Sequence, residues 1–397
     1  MSLARCVALP EDEFHSNYFG TRHLHTPAAK LPGFGDLFSA AAVEELLTGT
    51  GLRTSSVRLV RDGREVPAPA IAERGDPGAD AGYVDTDRIR TAIATGSTLI
   101  LRSLHRYHPP VRALAHALGG RLGAPVRVNA FVTPPNATGV DLHYDIQDVF
   151  VLQIAGTKLW HLRASPLARP LPSQAWFDRP AAQRIALTEG SRHLDDILLR
   201  EGDSLYLPRG TMHAPRTRDD LSIHLTLAVS VLTRHDLLRG LLDAAGGDEW
   251  FREHVTLPQL EDDLHAAADL LTEVAARLVK TAAETAPGPL LWGLRREAFR
   301  DVPAAPTPVL PVPGGPAAQE YRLRDGAQFT VTPGSDGALL LHVPGKQVAL
   351  PAQSAPVLDG LRRDGRVNLA TLRSMVGDDT AATFAGLLIS LDLVTAA

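Results

Sequence analysis

The sequence contains a single cysteine, Cys6, among its 397 residues. An intramolecular disulfide and a cluster of thiolate metal ligands are therefore both excluded, and such a chain fits a reducing compartment. The sequence also lacks any uncharged apolar run of about 18 residues, so we predict no transmembrane helix. Its first residues lack a long apolar stretch followed by a small-residue cleavage site. We therefore predict no signal peptide and expect a cytoplasmic protein without membrane contact.

An excess of charge of one sign is missing as well. The formal net charge is -5, and charged residues make up 21% of the chain, which argues against a polybasic binder of nucleic acid or membranes. A hydrophobic fraction of 44% is ordinary for a globular protein. The chain is too long for one compact core, so two or three domains are expected.

Residues 1–233 are predicted to form the first domain, an α+β unit. Up to about residue 125 it mixes helices with short strands, and from 126 to 232 short strands alternate with tight turns. Many short strands of this kind favour an antiparallel sandwich or jelly roll. Helices are predicted over 40–49, 87–96 and 109–122, and strands over 126–133, 148–154, 158–163, 204–208 and 221–232.

Two further domains and a linker are predicted after residue 233. Segment 234–301 carries apolar residues at helical spacing, which indicates a small helical domain. Segment 302–316 contains six prolines and two glycines and is predicted to be a stiff linker. Segment 317–397 combines strand hairpins with three helices, near 354–363, 368–376 and 379–391, which is compatible with a winged helix. This segment has seven basic and eight acidic residues, so we expect no direct nucleic-acid binding.

The motif His143-Tyr144-Asp145 carries the chemistry. Residues two apart in a strand point to the same face, so His143 and Asp145 can offer a nitrogen and a carboxylate to one metal ion. His213 supplies a third ligand, because it follows a strand and a tight turn in the run GDSLYLPRGTMH. A lone H-x-D is common as a simple polar pair, but two histidines and one carboxylate with open positions form the facial triad of non-haem Fe(II) oxygenases. The sequence therefore predicts an Fe(II) site at His143, Asp145 and His213, which would also be the catalytic residues.

The open positions of such a site would accept 2-oxoglutarate and dioxygen, and the far carboxylate of 2-oxoglutarate needs a cation once it is desolvated. Lys158 fits this role, since it follows a turn and alternates with Trp160 and Leu162 on one strand face. The alternative is a solvent-exposed lysine beside a hairpin turn.

Other polar residues near these motifs are weaker candidates. Asn129 is expected to face the cosubstrate, and Ser222, His224 and Thr226 share one face of a later strand. Each of these is compatible with a purely structural role, and we favour Asn129 and Thr226 as cosubstrate-binding residues. The side chain of Tyr144 is expected to point away from the metal.

These residues resemble the JmjC ribosomal-oxygenase branch of the cupin superfamily. The resemblance lies in VNAFVTPPNATGVDLHYDIQDVFVLQIAGTKLWHL, in GDSLYLPRGTMHAPRT and in LSIHLTLAV, with the basic residue fifteen positions after the first ligand. It extends to an N-terminal element that is represented here by Phe14, Tyr18, Phe19, Leu24 and His25. It implies a double-stranded β-helix (jelly-roll) catalytic domain, a helical dimerisation domain and a C-terminal winged helix.

The resemblance also implies an activity. Members of this branch hydroxylate the β-carbon of arginine or histidine in ribosomal proteins, using Fe(II) and converting 2-oxoglutarate to succinate and CO2. We therefore expect a homodimeric hydroxylase of a protein substrate. One departure is Phe131, which stands where the family commonly has a tyrosine that helps to hold the cosubstrate. Losing that hydrogen bond costs about 1 kcal/mol.

Three alternatives stay open. The first is a hydroxylase of a peptide natural-product precursor or of a free amino acid. The second is a JmjC lysine demethylase, which uses the same iron chemistry, and the third is a non-catalytic cupin binding protein. The segment 165–196, between the two halves of the metal motif, does not indicate the substrate, because fold and family do not determine substrate identity.

Overall fold

The computed structural model divides into two compact units, Met1–Val231 and Leu232–Ala397. The boundary of the first unit lies two residues before the boundary predicted from the sequence. The predicted division of the rest into a helical domain, a linker and a winged helix stays a prediction, and the linker itself lies outside the described residues apart from residue 302. The structure describes residues 3–73, 82–256, 264–300, 302, 318–324, 327, 329–334, 337–343, 346–391 and 393–396.

The helices of the first unit begin and end at recognisable residues. In the helix that starts at Ala40, the side chain of Ser39 accepts a hydrogen bond from the amide of Ala42, which satisfies a free N–H of the first turn. The longest of these helices ends at Gly123, which has φ +66° and closes it in the left-handed conformation that favours glycine. Three of these helices confirm the predictions at 40–49, 87–96 and 109–122. The helices are α1 Glu11–Asn17, α2 Ala40–Gly49, α3 Thr86–Ala94, α4 Pro109–Leu122 and α5 Ala181–Glu189.

The strands of the first unit form two antiparallel sheets. The strands are β1 Leu24–Thr26, β2 Val57–Arg61, β3 Arg64–Val66, β4 Thr98–Leu101, β5 Val126–Thr133, β6 Asp148–Ala155, β7 Lys158–Arg163, β8 His193–Leu199, β9 Ser204–Leu207, β10 Met212–Arg216 and β11 Ser222–Val229. Among the described residues, eight strands pair in the order β1-β9-β6-β11-β5-β4-β2-β3, and three pair in the order β10-β7-β8. The predicted strands at 126–133, 148–154, 158–163, 204–208 and 221–232 are all confirmed.

The two sheets pack face to face, which confirms the predicted sandwich. Val149 and Leu205 of the large sheet form one buried cluster with Trp160 and Ile197 of the small sheet. The opposite face of the large sheet contributes to a second, larger cluster, which includes Phe14 of α1. Burying apolar side chains on both faces of β6 explains why that strand reads as a continuous apolar run.

The second unit combines helices with two small sheets. Its helices are α6 Arg234–Ala245, α7 Leu264–Glu284, α8 Pro287–Phe299, α9 Ala355–Asp364, α10 Leu369–Val376 and α11 Asp378–Ser390. Its strands are β12 Glu320–Leu323, β13 Thr330–Pro333, β14 Leu339–Val343, β15 Lys346–Leu350, β16 Arg366–Asn368 and β17 Val394–Ala396. Among the described residues its strands pair in the orders β16-β12-β17 and β13-β14-β15. The three helices predicted near its end are confirmed, whereas the winged-helix assignment stays a prediction. In the described part of the chain, no helix is long and apolar enough to cross a membrane.

Candidate metal centre

The three predicted metal ligands lie together in the first unit. His143 and His213 form an isolated antiparallel bridge, in which each backbone N–H donates to the carbonyl of the other residue, over 3.2 and 2.8 Å. The amide of Gly210 donates to the carbonyl of Asp145 over 2.9 Å. The sequence prediction that His143 and Asp145 share a strand is wrong, since only this single bridge forms there. The loop before β6 is instead held by the turn between β9 and β10.

The side chains of the three residues point at one another. His143 Nε2 lies 4.0 Å from Asp145 Oδ1, and His213 Nε2 lies 3.7 Å from Asp145 Oδ2. Each histidine turns its other nitrogen to a backbone carbonyl, with Nδ1 of His143 2.7 Å from Asp141 and Nδ1 of His213 3.0 Å from Thr211. A carbonyl can only accept, so Nδ1 carries the proton and Nε2 keeps its lone pair. This backbone support fixes both rings in the tautomer that binds a metal.

The electrostatics of the site also suit a divalent cation. Both histidines are buried, whereas Asp145 is partly exposed. Burial, together with the neighbouring His143, lowers the pKa of His213. The two imidazoles and the carboxylate bring all their ligand atoms within 4.8 Å of one another. In composition and spacing the donor set therefore fits a first-row divalent metal.

A cavity of about 220 Å³ opens beside the triad and is lined by all three ligands. Residues of β5, β7 and β11 also line it. Side chains of both types occur there, apolar ones such as Phe131 and Trp160 and polar ones such as Lys158. The cavity is therefore large enough for a small ligand that contacts both the triad and the lysine.

Lys158 is fully buried at this wall. Its Nζ donates to the hydroxyl of Thr133 over 2.8 Å, and no carboxylate of the described residues acts on it. Burial lowers the pKa of Lys158 to about 7. The alternative of a solvent-exposed lysine is therefore wrong. A buried ammonium group without a counter-charge is unfavourable, so this wall suits an anionic ligand.

The two weaker cosubstrate candidates also lie at the cavity. Asn129 of β5 and Thr226 of β11 are direct partners in the antiparallel register, and both line the cavity. Asn129 Oδ1 accepts from the backbone N–H of Ser103 over 2.9 Å, which leaves its amide group for a ligand. Ser222 does not line the cavity, and its hydroxyl accepts from Gln153 over 2.8 Å.

Comparison with known proteins gives this site a family context. The sequence matches the JmjC domain family over residues 109–237, a stretch that includes all three metal-ligand candidates and Lys158. Residues 109–237 form a JmjC domain. The chain is 28% identical over 222 residues to the bifunctional lysine-specific demethylase and histidyl-hydroxylase NO66 of Drosophila grimshawi, covering 55% of this chain and 29% of that protein. It is 30% identical over 151 residues to ribosomal oxygenase 2 of Mus musculus, covering 38% and 30%.

The chain thus spans less than a third of the length of these two relatives. Solved structures agree over a longer stretch. Escherichia coli ribosomal oxygenase YcfD matches 98% of both chains with a TM-score of 0.55 and 15% identity. Its complex with cobalt and 2-oxoglutarate matches with a TM-score of 0.53 and 16% identity. These likenesses confirm the predicted α+β fold of the cupin type, while the dimerisation and winged-helix domains stay predictions.

The JmjC domain contains an aromatic side chain beside His143 that the sequence did not reveal. Phe177 is 56% exposed, and its ring centre lies 5.5 Å from that of His143. It belongs to the segment between β7 and β8, which carries no motif that could have revealed it. The segment is anchored by Tyr144, whose hydroxyl donates to the carbonyl of Gln174 over 2.6 Å and accepts from Arg179 Nε over 2.8 Å. Tyr144 does not line the cavity in the described structure, as expected from the sequence.

Proposed function

We propose that this chain is an Fe(II)- and 2-oxoglutarate-dependent oxygenase that hydroxylates an amino-acid side chain of a protein. The observation that carries the proposal is Lys158, a buried cation without an acidic partner among the described residues, in the same cavity as the His143, Asp145 and His213 triad. A metal site alone would fit many proteins. A metal site and a buried cation that line the same small cavity fit a ligand that chelates at one end and is anionic at the other.

Each residue of the cavity has a distinct role in the proposed reaction. The triad holds the iron through two Nε2 atoms and one carboxylate, and Lys158 pairs with the distal carboxylate of 2-oxoglutarate. Asn129 and Thr226 lie beside it and contribute polar contacts. Iron with 2-oxoglutarate and dioxygen supplies the oxidation of an unactivated C–H bond, with succinate and CO2 as products. The apolar walls of the cavity keep water from the buried lysine, which strengthens its attraction to the carboxylate.

The substrate proposed first is a ribosomal protein, hydroxylated at the β-carbon of arginine or histidine. The names of the related proteins support it, since they include ribosomal oxygenases and histidyl-hydroxylases. The same names favour lysine demethylation as the second candidate. Mass spectrometry of treated ribosomal proteins separates the two, because hydroxylation adds one oxygen and demethylation removes a methyl group with release of formaldehyde.

We further propose a cytoplasmic homodimer formed through the helical segment. The long helix α7 has large apolar side chains that are unusually exposed, namely Leu264, Leu271 and Val279 at 78, 70 and 71%. Their spacing of seven and eight residues places them along one side of the helix. Covering this stripe with a second copy would remove it from water, which supports association.

The decisive experiment is succinate production from 2-oxoglutarate with Fe(II) and ascorbate. His143→Ala should abolish turnover, whereas His161→Ala, which removes a partly exposed histidine of β7 bound to Asp196, should retain it. Lys158→Ala should lose turnover and regain part of it at high 2-oxoglutarate. The matched control is Lys280→Ala, a mostly exposed lysine of α7. Absence of turnover and of 2-oxoglutarate binding in the wild type would contradict the proposal and favour a binding protein.

A further inference from the structure

The imidazole of His224 is a buried polar group of the cavity that the proposed function does not yet use. The side chain lies on β11, lines the cavity and is 2% exposed. Its Nδ1 is sealed from solvent and has no hydrogen-bond partner in the described part of the chain. A buried polar group left without a partner is unfavourable, so each such group in a folded protein calls for an explanation.

The orientation of the ring is fixed by its neighbours. It stacks flat on Phe131, with ring centres 4.7 Å apart and planes 5° from parallel, because the two residues face each other in the β5–β11 register. Trp160 contacts it edge-on, with ring centres 5.6 Å apart. A ring held between two aromatic side chains loses little further freedom when a ligand binds, which is the condition for a preorganised contact.

The charge environment of His224 suits an anion. Burial and the positive charge of Lys158 lower the pKa of His224 well below its usual value. The ring is therefore neutral and carries one N–H donor and one acceptor. A proton on the sealed Nδ1 would be a buried donor without a partner, so the tautomer with the proton on Nε2 is favoured. Nε2 is then the donor that remains for a ligand, and a carboxylate there would hold the proton in place.

We propose that His224 donates its Nε2–H to the distal carboxylate of 2-oxoglutarate, beside the ammonium group of Lys158. The distal carboxylate would then contact one cation, Lys158, and one neutral hydrogen-bond donor, His224. The neighbouring Phe131 has no hydroxyl and cannot serve as that donor. This inference rests on the proposed function, because it assigns a residue to the same cosubstrate. It makes His224 a determinant of selectivity for 2-oxo acids that have a second carboxylate.

The test compares two chelating ligands by calorimetry on the Mn(II)-loaded full chain. 2-Oxoglutarate reaches the cavity wall, whereas oxalate chelates the metal and has no distal carboxylate. His224→Phe keeps an aromatic ring for stacking but removes the donor. It should raise the Kd of 2-oxoglutarate about tenfold, the effect of losing a hydrogen bond to a charged group, and leave the Kd of oxalate unchanged.

Two further variants control the comparison. Ser222→Ala lies on the same face of β11 but outside the cavity, so it should leave both Kd values unchanged. His224→Gln retains an N–H donor and should bind 2-oxoglutarate more tightly than His224→Phe. Equal weakening by Gln and Phe would overturn the proposal, as would an equal loss of oxalate binding, because both outcomes indicate a purely structural role.

A measurement on the wild type covers the case in which His224→Phe does not fold. In the spectrum of Zn(II)-loaded protein labelled with 15N-histidine, the Nε2 resonance of His224 is identified by its absence from the spectrum of His224→Gln. Binding of 2-oxoglutarate should shift this resonance and slow the exchange of the Nε2 proton with water. Oxalate should leave that resonance in place, and a failure of 2-oxoglutarate to move it would overturn the proposal. If the wild type binds oxalate but not 2-oxoglutarate, the proposed function itself fails. Normal wild-type binding that is unaffected by His224→Phe would refute only the role of His224.

Discussion

Replacing Lys158 by methionine should stabilise the ligand-free protein while it abolishes tight binding of the cosubstrate. The lysine is fully buried, and its only hydrogen bond in the described structure is the one to Thr133. Methionine fills a similar volume without a charge, so the substitution removes an unfavourable buried group and costs one hydrogen bond. We expect the substitution to raise the free energy of unfolding and to lower the affinity for 2-oxoglutarate, because a binding site is often less stable without its ligand than an apolar replacement would be.

The magnitude follows from the pKa of Lys158, which burial lowers from its ordinary value of 10.5 to about 7. Below about pH 7 the lysine is protonated in both the folded and the unfolded chain, and the folded state bears the whole cost of its burial, roughly 5 kcal/mol. Between about pH 7 and 10.5 the unfolded chain binds more protons than the folded one, so wild-type stability rises with pH. Lys158→Met lacks this contribution, so its advantage should shrink by roughly 2–3 kcal/mol between about pH 6 and pH 9.

Chemical unfolding of the metal-free proteins at these two pH values provides the assay. The quantity to compare is the change with pH in the difference between the free energies of unfolding of Lys158→Met and wild type. This change does not depend on the lost hydrogen bond or on repacking around residue 158, so it reports the titration of Lys158 alone. Lys280→Met, at a mostly exposed lysine, should show no such change with pH. A Lys158→Met variant that is less stable than wild type at about pH 6, or whose difference from wild type does not change with pH, would refute the reasoning. Calorimetry with Mn(II) should show that the same variant binds 2-oxoglutarate about 100-fold more weakly or worse.

Three other predictions follow from the site and from α7. Binding of 2-oxoglutarate at about pH 8 should take up close to one proton, because the carboxylate recharges Lys158; calorimetry in buffers of different ionisation enthalpy measures it, and zero uptake would contradict the pairing. Phe177→Ala should leave the Kd of 2-oxoglutarate unchanged but lower the rate of hydroxylation of a protein substrate about tenfold, because the exposed ring is expected to contact that substrate. Equal rates for Phe177→Ala and wild type would rule out this contact. Leu271→Glu should shift the protein toward monomer in sedimentation experiments, because a charge in an apolar interface is unfavourable. An unchanged molecular mass would count against α7 as the interface.

Much of the fold was predictable because its signals are local. The strands β5 and β7 follow directly from side-chain periodicity, and the ends of α2 and α4 from glycine and from first-turn residues. The position of Lys158 on an inward face also follows, because alternation along β7 places it with Trp160. In each case the residues that decide the structure are close together in the sequence.

The loop around His143 was predicted less well. The H-x-D spacing was interpreted as a strand, but the structure has a single bridge to His213, seventy residues away. Strand geometry depends on a hydrogen-bonding partner, and the sequence does not show which segment that partner will be. This error does not affect the predicted ligand set, because two residues that flank one position can bind the same metal from a loop as well as from a strand.

The sequence by itself therefore determined the donor set and the cation that face each other in this protein, because residue type fixes the number and charge of the ligands. Tertiary structure alone decided the burial of Lys158, and with it a pKa of about 7, since desolvation depends on everything that packs around a group. It also decided that Phe177 meets His143 and that His224 stacks on Phe131. Those contacts form between segments that are distant in the sequence, so no local sequence pattern encodes them.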